Sequence, residues 1–395
     1  MTQNSKPIIV QKYGGSSLAT PEHIKRIAEN VVRRKDDGVD LVVVVSAMGK
    51  TTDQFVKMAH EVNPNPDKRE MDMLLSVGER ISISMLALAI NAIGKYPAVS
   101  FTGSQIGLIT DNNHTNARVL EVKGHRLREA LAEDKIVVIA GFQGVSVNKE
   151  ITTLGRGGSD TSAVAIAAAI DAEACEIMSD IDGIYTSDPR IIPAARRIDR
   201  IDYDQALEMS AAGAKMLHKT SVEMARRHNV TLSLGSSATG NIGTIVTNEV
   251  LNKGLVTGVV LDRDVAVLRF SAQEEVAFRL PLLFSEQRIE LKVWQCVRGL
   301  GGLAVSGSDL GMAKRITEAH AQTEIVNGGA ALLSIIGAHV GLGTQAAEQF
   351  LNILQDDLLF GIVFGGELFL RALVPLDKCE ILCAKVHKHF LENRD

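Results

Sequence analysis

Three stretches of this chain carry residues whose types and spacing suit phosphate and carboxylate chemistry. The first is Lys12-Tyr13-Gly14-Gly15-Ser16-Ser17, where an apolar run ends and a helical pattern begins near Pro21. Paired glycines let a backbone approach an anion and aim N–H groups at it, and a lysine beside them adds the point charge a transferring phosphoryl group requires. An ordinary strand-to-helix turn would read the same way. The second is Gly155-Arg156-Gly157-Gly158-Ser159-Asp160, opening a small-residue helix from Thr161 to Ile170. Ser159 or Asp160 could simply cap that helix. The free N–H groups of its first turn and the planar fork of Arg156 also suit a carboxylate or phosphate. The third, Ser179 to Arg190, holds enough polar groups, with Tyr185 and Arg190, for a base, ribose and phosphates. On composition alone it reads as a turn-rich surface loop.

One apparent signal fails. Met48-Gly49-Lys50-Thr51 looks like the end of a P-loop, but position 44, where that motif needs glycine, is Val44. Neither H-E-x-x-H, G-x-S-x-G nor G-x-G-x-x-G occurs, so metalloprotease, hydrolase and dinucleotide-dehydrogenase readings have no motif support.

The elements that must position these stretches follow from periodicity. Ile8 to Val10, Leu41 to Val45, Lys135 to Ala140 and Glu173 to Met178 read as buried strands. Pro21 to Arg34, Met71 to Ile93, Asp160 to Ala172 and Asp204 to Arg227 read as helices. That alternation predicts an α/β fold, a mostly parallel sheet with helices on both faces and ligands at the strands' carboxyl ends. From about Asn248 the pattern changes to a small α+β module, βαββα, present twice. In its second copy Leu332 to Ile336, Leu358 to Phe364 and Glu367 to Val374 are strands, and Gln345 to Leu354 and Lys378 to Leu391 are helices. The expected domains are 1–248, 249–330 and 331–395, the last two able to interleave.

Composition narrows the class. The 395 residues are 46% hydrophobic and 23% charged, a soluble globular balance long enough for two or three domains. With 42 Lys+Arg against 47 Asp+Glu, net charge −5 and 4% aromatic residues, neither a basic face nor stacking platforms for nucleic acid are expected. Uninterrupted apolar runs are strand-sized, so no membrane span is expected, and the polar start, Met1 to Pro7, reads as neither signal nor transit peptide. Cys175, Cys296, Cys379 and Cys383 show no zinc spacing or disulfide framework, and a cytoplasmic protein is the default.

Taken together, the motifs resemble the aspartate kinases of the amino-acid-kinase family. Besides the three stretches above, they include Val45-Ser46-Ala47-Met48-Gly49, Ser76-Val77-Gly78-Glu79, Phe101-Thr102-Gly103, Ala140-Gly141-Phe142-Gln143-Gly144, Thr152-Thr153-Leu154 and Gly213-Ala214-Lys215-Met216-Leu217-His218. The resemblance covers about 245 residues and implies a parallel-rich sheet sandwiched by helices, followed by two ACT modules. It also implies ATP-dependent phosphorylation of the side-chain carboxylate of L-aspartate to 4-phospho-L-aspartate, which leads to lysine, threonine and methionine. The acceptor carboxylate is ionised at neutral pH, so alignment and charge neutralisation are needed and a general base is not.

By that resemblance Lys12 and Asp160 are catalytic, Asp160 orienting the lysine. Arg156 would clamp the substrate α-carboxylate, Glu79 would accept from its ammonium group, and Ser46 and Thr51 would complete the pocket. Lys12, Gly14, Gly15, Ser159, Ser179, Asp180, Tyr185, Asp188 and Arg190 would bind ATP, with Mg2+ carried by the nucleotide phosphates. A homodimer or higher oligomer through the ACT-like modules is implied.

Two departures stand out. Ser179-Asp180 replaces the family's Thr-Asp, and Ala238 follows Ser236-Ser237 where a nucleotide-touching lysine often stands. In the tail, the stretch from Phe360 to Leu368 is nearly all apolar apart from Glu367, and Phe270 to Glu275 also lacks the effector pattern. Such strands suit a buried interface better than an ammonium-bearing effector. Lysine or threonine feedback is therefore expected to be weak or absent, as for a kinase dedicated to a specialised pathway such as ectoine synthesis. Two alternatives remain: a kinase of another small acid such as glutamate, one methylene longer, and a catalytically silent homologue.

Overall fold

A computed structural model describes residues 6–214, 217–249, 256–287, 289–326, 329–359 and 363–392. Lys215 and Met216 of the Gly213 to His218 motif, and residues 360–362 of the apolar tail stretch, lie outside the described residues. The chain divides into two compact units: Met1–Ile184 with Arg197–Tyr203 and Met216–Glu249, and Tyr185–Arg196 with Asp204–Lys215 and Val250–Asp395.

The chain opens with β1 (Ile8–Tyr13), α1 (Pro21–Asp36), β2 (Asp40–Val45), α2 (Thr51–Val62), α3 (Lys68–Ile93), β3 (Ala98–Phe101), β4 (Leu108–Thr110) and β5 (Val119–Val122). It continues with α4 (His125–Ala132), β6 (Ile136–Ala140), β7 (Gln143–Ser146), β8 (Ile151–Thr153), α5 (Gly158–Ala169), β9 (Ala174–Ser179), β10 (Arg200–Asp202), α6 (Tyr203–Ala211), α7 (Lys219–His228), β11 (Leu232–Ser236) and β12 (Ile242–Thr247). The first unit's main sheet has the order β10-β12-β11-β9-β1-β2-β6-β3, parallel throughout except for the β11–β12 pair. Leu41 to Val45 are wholly buried, as a strand covered on both faces must be, and each such side chain contributes about 1.5–3 kcal/mol. A second sheet, β5-β4-β7-β8, stands beside it in sequence between β3 and α5.

Helix α1 begins where sequence chemistry says it should: Thr20 accepts from the His23 N–H, and Pro21 occupies the first turn. It buries Ile24, Ile27, Ala28, Val31 and Val32 at helical spacing. Helix α3 starts at an Asp67 cap and stops at Gly94, whose φ of 76° is a left-handed terminus. Its 26 residues are long and apolar enough by composition to cross a membrane, which counting uninterrupted apolar runs did not reveal. Half of that stretch is buried in the unit, where Leu86 and Ile90 join the core with β2 and β6, as in the core helix of a globular domain.

One expected helix divides. Asp204 to Arg227 is not continuous, because α6 ends at Ala211 and α7 starts at Lys219. Gly213, at φ 103°, breaks the pattern, and a Cβ there would stand 2.8 Å from the Cβ of Asp262.

The second unit contains β13 (Val256–Ser271), α8 (Glu274–Glu286), β14 (Val293–Val297), β15 (Leu300–Val305), α9 (Leu310–Glu318), β16 (Gln322–Ile325), β17 (Ala330–Gly337), α10 (Gln345–Leu354), β18 (Val363–Gly365), β19 (Phe369–Pro375) and α11 (Cys379–His387). Strand β13 serves two modules. Val256 to Val265 pairs with β17, and Ala266 to Ser271 pairs with β15, flanked by β16, the change-over marked by a register shift between Asp262 and Val265. The second module thus draws its first strand from ahead of the first module, so the two are nested along the chain. Leu358 and Leu359 are not strand, and among the described residues β18 covers Val363–Gly365. Segments Tyr185–Arg196 and Asp204–Lys215, placed by sequence within 1–248, belong to this unit. Thr186 Oγ1 lies 3.0 Å from His387 Nε2, and Arg371 Nη2 lies 2.6 Å from Glu208 Oε2.

Candidate active site

In the first unit the carboxyl ends of β9, β1, β2 and β6 are neighbours, and the loops leaving them gather most of the expected groups. Lys12 is the penultimate residue of β1. Its Nζ lies 2.5 Å from Asp160 Oδ1 in the first turn of α5, each side chain about an eighth exposed. A cation held by one carboxylate at the mouth of a loop is restrained in place yet open to a second anion.

The glycine pair follows directly. Gly14 accepts from the Ser17 N–H and Gly15 from those of Leu18 and Gly49, while neither glycine N–H donates to a loop or turn carbonyl among the described residues. A Cβ on Gly15 would stand 2.6 Å from the Ala47 carbonyl, so no larger residue fits. This close approach locks the β1 loop against the β2 loop. Gly49, at φ 53°, lies in that contact, and Lys50 flanks the start of α2, so the P-loop look-alike is a helix entry here.

Ser46 and Ser159 share a hydroxyl contact of 2.7 Å, joining the end of β2 to the start of α5. Thr51 uses its hydroxyl locally, donating to Met48 O at 2.6 Å. Glu79, on α3, is 2% exposed; its Oε1 accepts from the Ala47 N–H at 3.0 Å, and its Oε2 is buried with no hydrogen-bond partner. Burial pushes its carboxyl up to about 7, against the pull of the Ala47 N–H. Gly78 permits this placement, since a Cβ there would come within 2.8 Å of Ala47 Cβ.

Arg156 is exposed between β8 and α5, on a turn whose glycines 155 and 157 both have positive φ, 73° and 74°. Ser179 ends β9 with its hydroxyl bonded to Ile181 O at 2.8 Å, and Asp180 beside it is exposed. Tyr185, Asp188 and Arg190 are described within the second unit, where Arg190 grips Asp188 through Nε at 2.9 Å and Nη2 at 2.6 Å. The first unit therefore brings together Lys12, Gly14, Gly15, Ser46, Glu79, Ser159 and Asp160.

Sequence reasoning missed several participants. Asp72, fully buried on α3, meets His114 Nδ1 at 2.6 Å and accepts from Thr153 Oγ1 at 2.5 Å. Phe142 holds a positive φ of 67° while its N–H donates to Ser162 Oγ, and the His218 ring lies against Gly157. Position seven residues before Glu79 was the available signal for Asp72, since that spacing places two carboxylates on one helix face. Nothing in residue type marked Phe142 or His218.

Comparison with known proteins gives the chain's family. The amino acid kinase family profile matches residues 7–236. An aspartokinase of Mycolicibacterium smegmatis is 53% identical over 264 residues, 66% of this chain and 62% of that protein, so the match spans less than two thirds of the relative. The aspartokinase of Corynebacterium glutamicum is 37% identical over 409 aligned positions, 97% of this chain and 96% of that one. Among solved structures, E. coli aspartokinase III in complex with aspartate and ADP (R-state) superposes with a TM-score of 0.82 at 24% identity, over 96% of this chain and 99% of that chain. With those alignments and the Lys12–Asp160 pair at the head of its parallel sheet, this chain belongs to the amino acid kinase family, on its aspartokinase branch.

Proposed function

We propose that this chain transfers the γ-phosphoryl group of ATP to the side-chain carboxylate of L-aspartate, giving 4-phospho-L-aspartate and ADP. The observation that carries the proposal is Lys12 Nζ held 2.5 Å from Asp160 beside a glycine loop. An aspartate carboxylate oxygen attacks phosphorus, the bond to the bridging oxygen breaks, and ADP leaves with that electron pair. Lys12 balances the charge on the transferring group, and Gly14, Gly15 and Ser159 flank it with donors. Asp160 keeps the ammonium in position. Glu79 receives the substrate's ammonium group on its unpartnered Oε2, Arg156 takes the α-carboxylate, and Ser46 and Thr51 complete the pocket. Ser179, Asp180, Tyr185, Asp188 and Arg190 are proposed as nucleotide contacts on the sequence resemblance. That the E. coli relative was solved with aspartate and ADP supports both substrates.

Among the described residues no three His, Cys, Asp or Glu side chains stand together as metal ligands. Mg2+ is proposed to arrive on the ATP phosphates, on the sequence resemblance. The domain assignment that goes with this function is a kinase module over 1–248 and two ACT-like modules after it, which join copies of the chain into a homodimer or larger assembly in the cytoplasm. We further propose weak lysine and threonine feedback and service to a specialised pathway such as ectoine synthesis. One feature weighs against uniform apolarity in the tail: His339, Thr344 and Glu367 line a cavity of about 360 Å³ with Gly341, Gly365 and Gly366.

Hydroxylamine trapping of the acyl phosphate tests the reaction. Aspartate-dependent hydroxamate that disappears in Lys12→Ala is the expected result. Product from glutamate but not aspartate would keep the fold and replace the acceptor, and no product from any acid would leave a silent homologue.

A further inference from the structure

The face of α3 that carries Glu79 carries a second buried carboxylate seven residues earlier, about 10 Å along the helix axis. That group, Asp72, is 0% exposed and saturated with partners from other elements. Oδ1 accepts from Thr153 Oγ1 at 2.5 Å, Oδ2 meets His114 Nδ1 at 2.6 Å, and the Thr115 N–H reaches both oxygens at 3.0 and 3.1 Å. Thr115 is β-branched and yet holds φ at 66°, a conformation that costs about 1–3 kcal/mol and persists only where surroundings impose it.

These partners bound the turn that bears Arg156. Thr153 is the last residue of β8, three positions before Arg156. Gly155, at φ 73°, packs so closely on the 111–117 loop that a Cβ would meet Asn116 Oδ1 and Thr115 O, both at 3.2 Å. Through Thr153 on one side and Thr115 on the other, a single carboxylate on α3 therefore fastens the Arg156 turn to the helix that carries Glu79.

We propose that Asp72, oriented by His114, is a positioning residue that fixes the separation of Glu79 and Arg156 and so sets the affinity for the amino acid's ammonium and α-carboxylate. This rests on the assignment of Glu79 and Arg156 as the partners of those two groups. The residue type fits the task. Thr153 and Thr115 donate, and a carboxylate accepts from every direction, whereas an asparagine would turn an NH2 toward a donor.

The test combines kinetics with hydrogen exchange on the full chain. In Asp72→Asn and His114→Ala, the aspartate KM should rise about tenfold, with ATP KM and kcat within about twofold. His114→Asn, whose amide can stand where Nδ1–H stood, should restore most of the loss. In an Arg156→Ala background, Asp72→Asn should add less than about twofold, because the two act as one unit. Without any turnover, amides of 113–117 and 154–157 should exchange faster in Asp72→Asn while β1, β2 and β6 hold their protection. Equal losses in aspartate KM, ATP KM and core protection would mark Asp72 as a plain structural contact and overturn the proposal, as would additive effects with Arg156→Ala. A wild type inactive on aspartate refutes the proposed function by itself. The exchange result then decides the clasp alone: selective loosening upholds it, and an unchanged turn overturns it.

Discussion

Replacing Glu79 with glutamine should make the protein more stable at alkaline pH and worse at holding aspartate, and both effects follow from one buried oxygen. The Glu79 carboxyl is pushed up to about 7 by burial, from an ordinary 4.5. Its folded-state value lies above the unfolded one, so the folded state binds the extra proton between those limits. Stability contributed by the protonated form is complete below about 4.5 and lost as pH rises through about 7. The difference corresponds to about 3 kcal/mol above neutrality. Glutamine keeps an oxygen for the Ala47 N–H and cannot ionise, so its stability lacks this decline. Packing differences shift both ends of the curve equally, and the pH-dependent part isolates the charge. Denaturant melts at pH 5 and pH 8 should therefore show the variant gaining on wild type by about 2.5 kcal/mol between the two. In turnover, the wild-type aspartate KM should fall as pH rises through 7, when the carboxylate forms and can take the substrate's ammonium. The variant's KM should be roughly 10–100-fold higher at pH 8 and insensitive to pH over that range. Parallel stability curves, or a variant with wild-type KM, would refute the assignment of Glu79 as the buried, substrate-facing charge.

Lys12→Ala should lower kcat by at least about 10²–10³-fold with the fold retained on circular dichroism, since it removes the positioned cation from the transferring group. Lys12→Arg should not restore it, because a planar fork does not reproduce an ammonium 2.5 Å from Asp160. Gly15→Ala must push against the Ala47 carbonyl 2.6 Å away, and should cost about 1–3 kcal/mol in a thermal melt while reducing turnover. Lysine and threonine at about 1 mM, alone or together, should leave the aspartate rate nearly unchanged, given a tail whose strands suit an interface better than an effector; strong inhibition would refute that reading.

The strands that carry this site were legible because burial on both faces leaves a simple mark. Leu41 to Val45 reads as a parallel core strand without further information, and Lys12 and Ser46 then fall at carboxyl ends where ligands gather. Loop chemistry was half legible. The two glycine-bearing stretches announced themselves by composition, but the ion pair joining Lys12 to Asp160, 148 positions apart, is made by strand order and not by any local pattern. Asp72 was less legible still: its spacing of seven from Glu79 sets both carboxylates on one helix face, but its partners His114 and Thr153 come from other elements, and no local pattern tells of its burial. The single helix expected over Asp204 to Arg227 failed at Gly213, where a close approach to Asp262 overrode an otherwise continuous period. Nesting of the two tail modules leaves no local trace either, because the partners of β13 come from three later strands, β15, β16 and β17, and not from its own residues.

That shared strand has a consequence for the chain as it is made. Val256 to Leu261 leaves the ribosome ahead of the whole first module, yet its partner β17 ends only at Gly337. At about 5–20 residues per second, those apolar residues wait roughly 4–16 s for their ladder. Meanwhile the other half of the same strand can already be closing its own sheet with β15 and β16. The nascent protein thus carries, for several seconds, an open strand edge beside a module that is still being closed, and this is the interval in which another nascent copy or a chaperone has its best access to it.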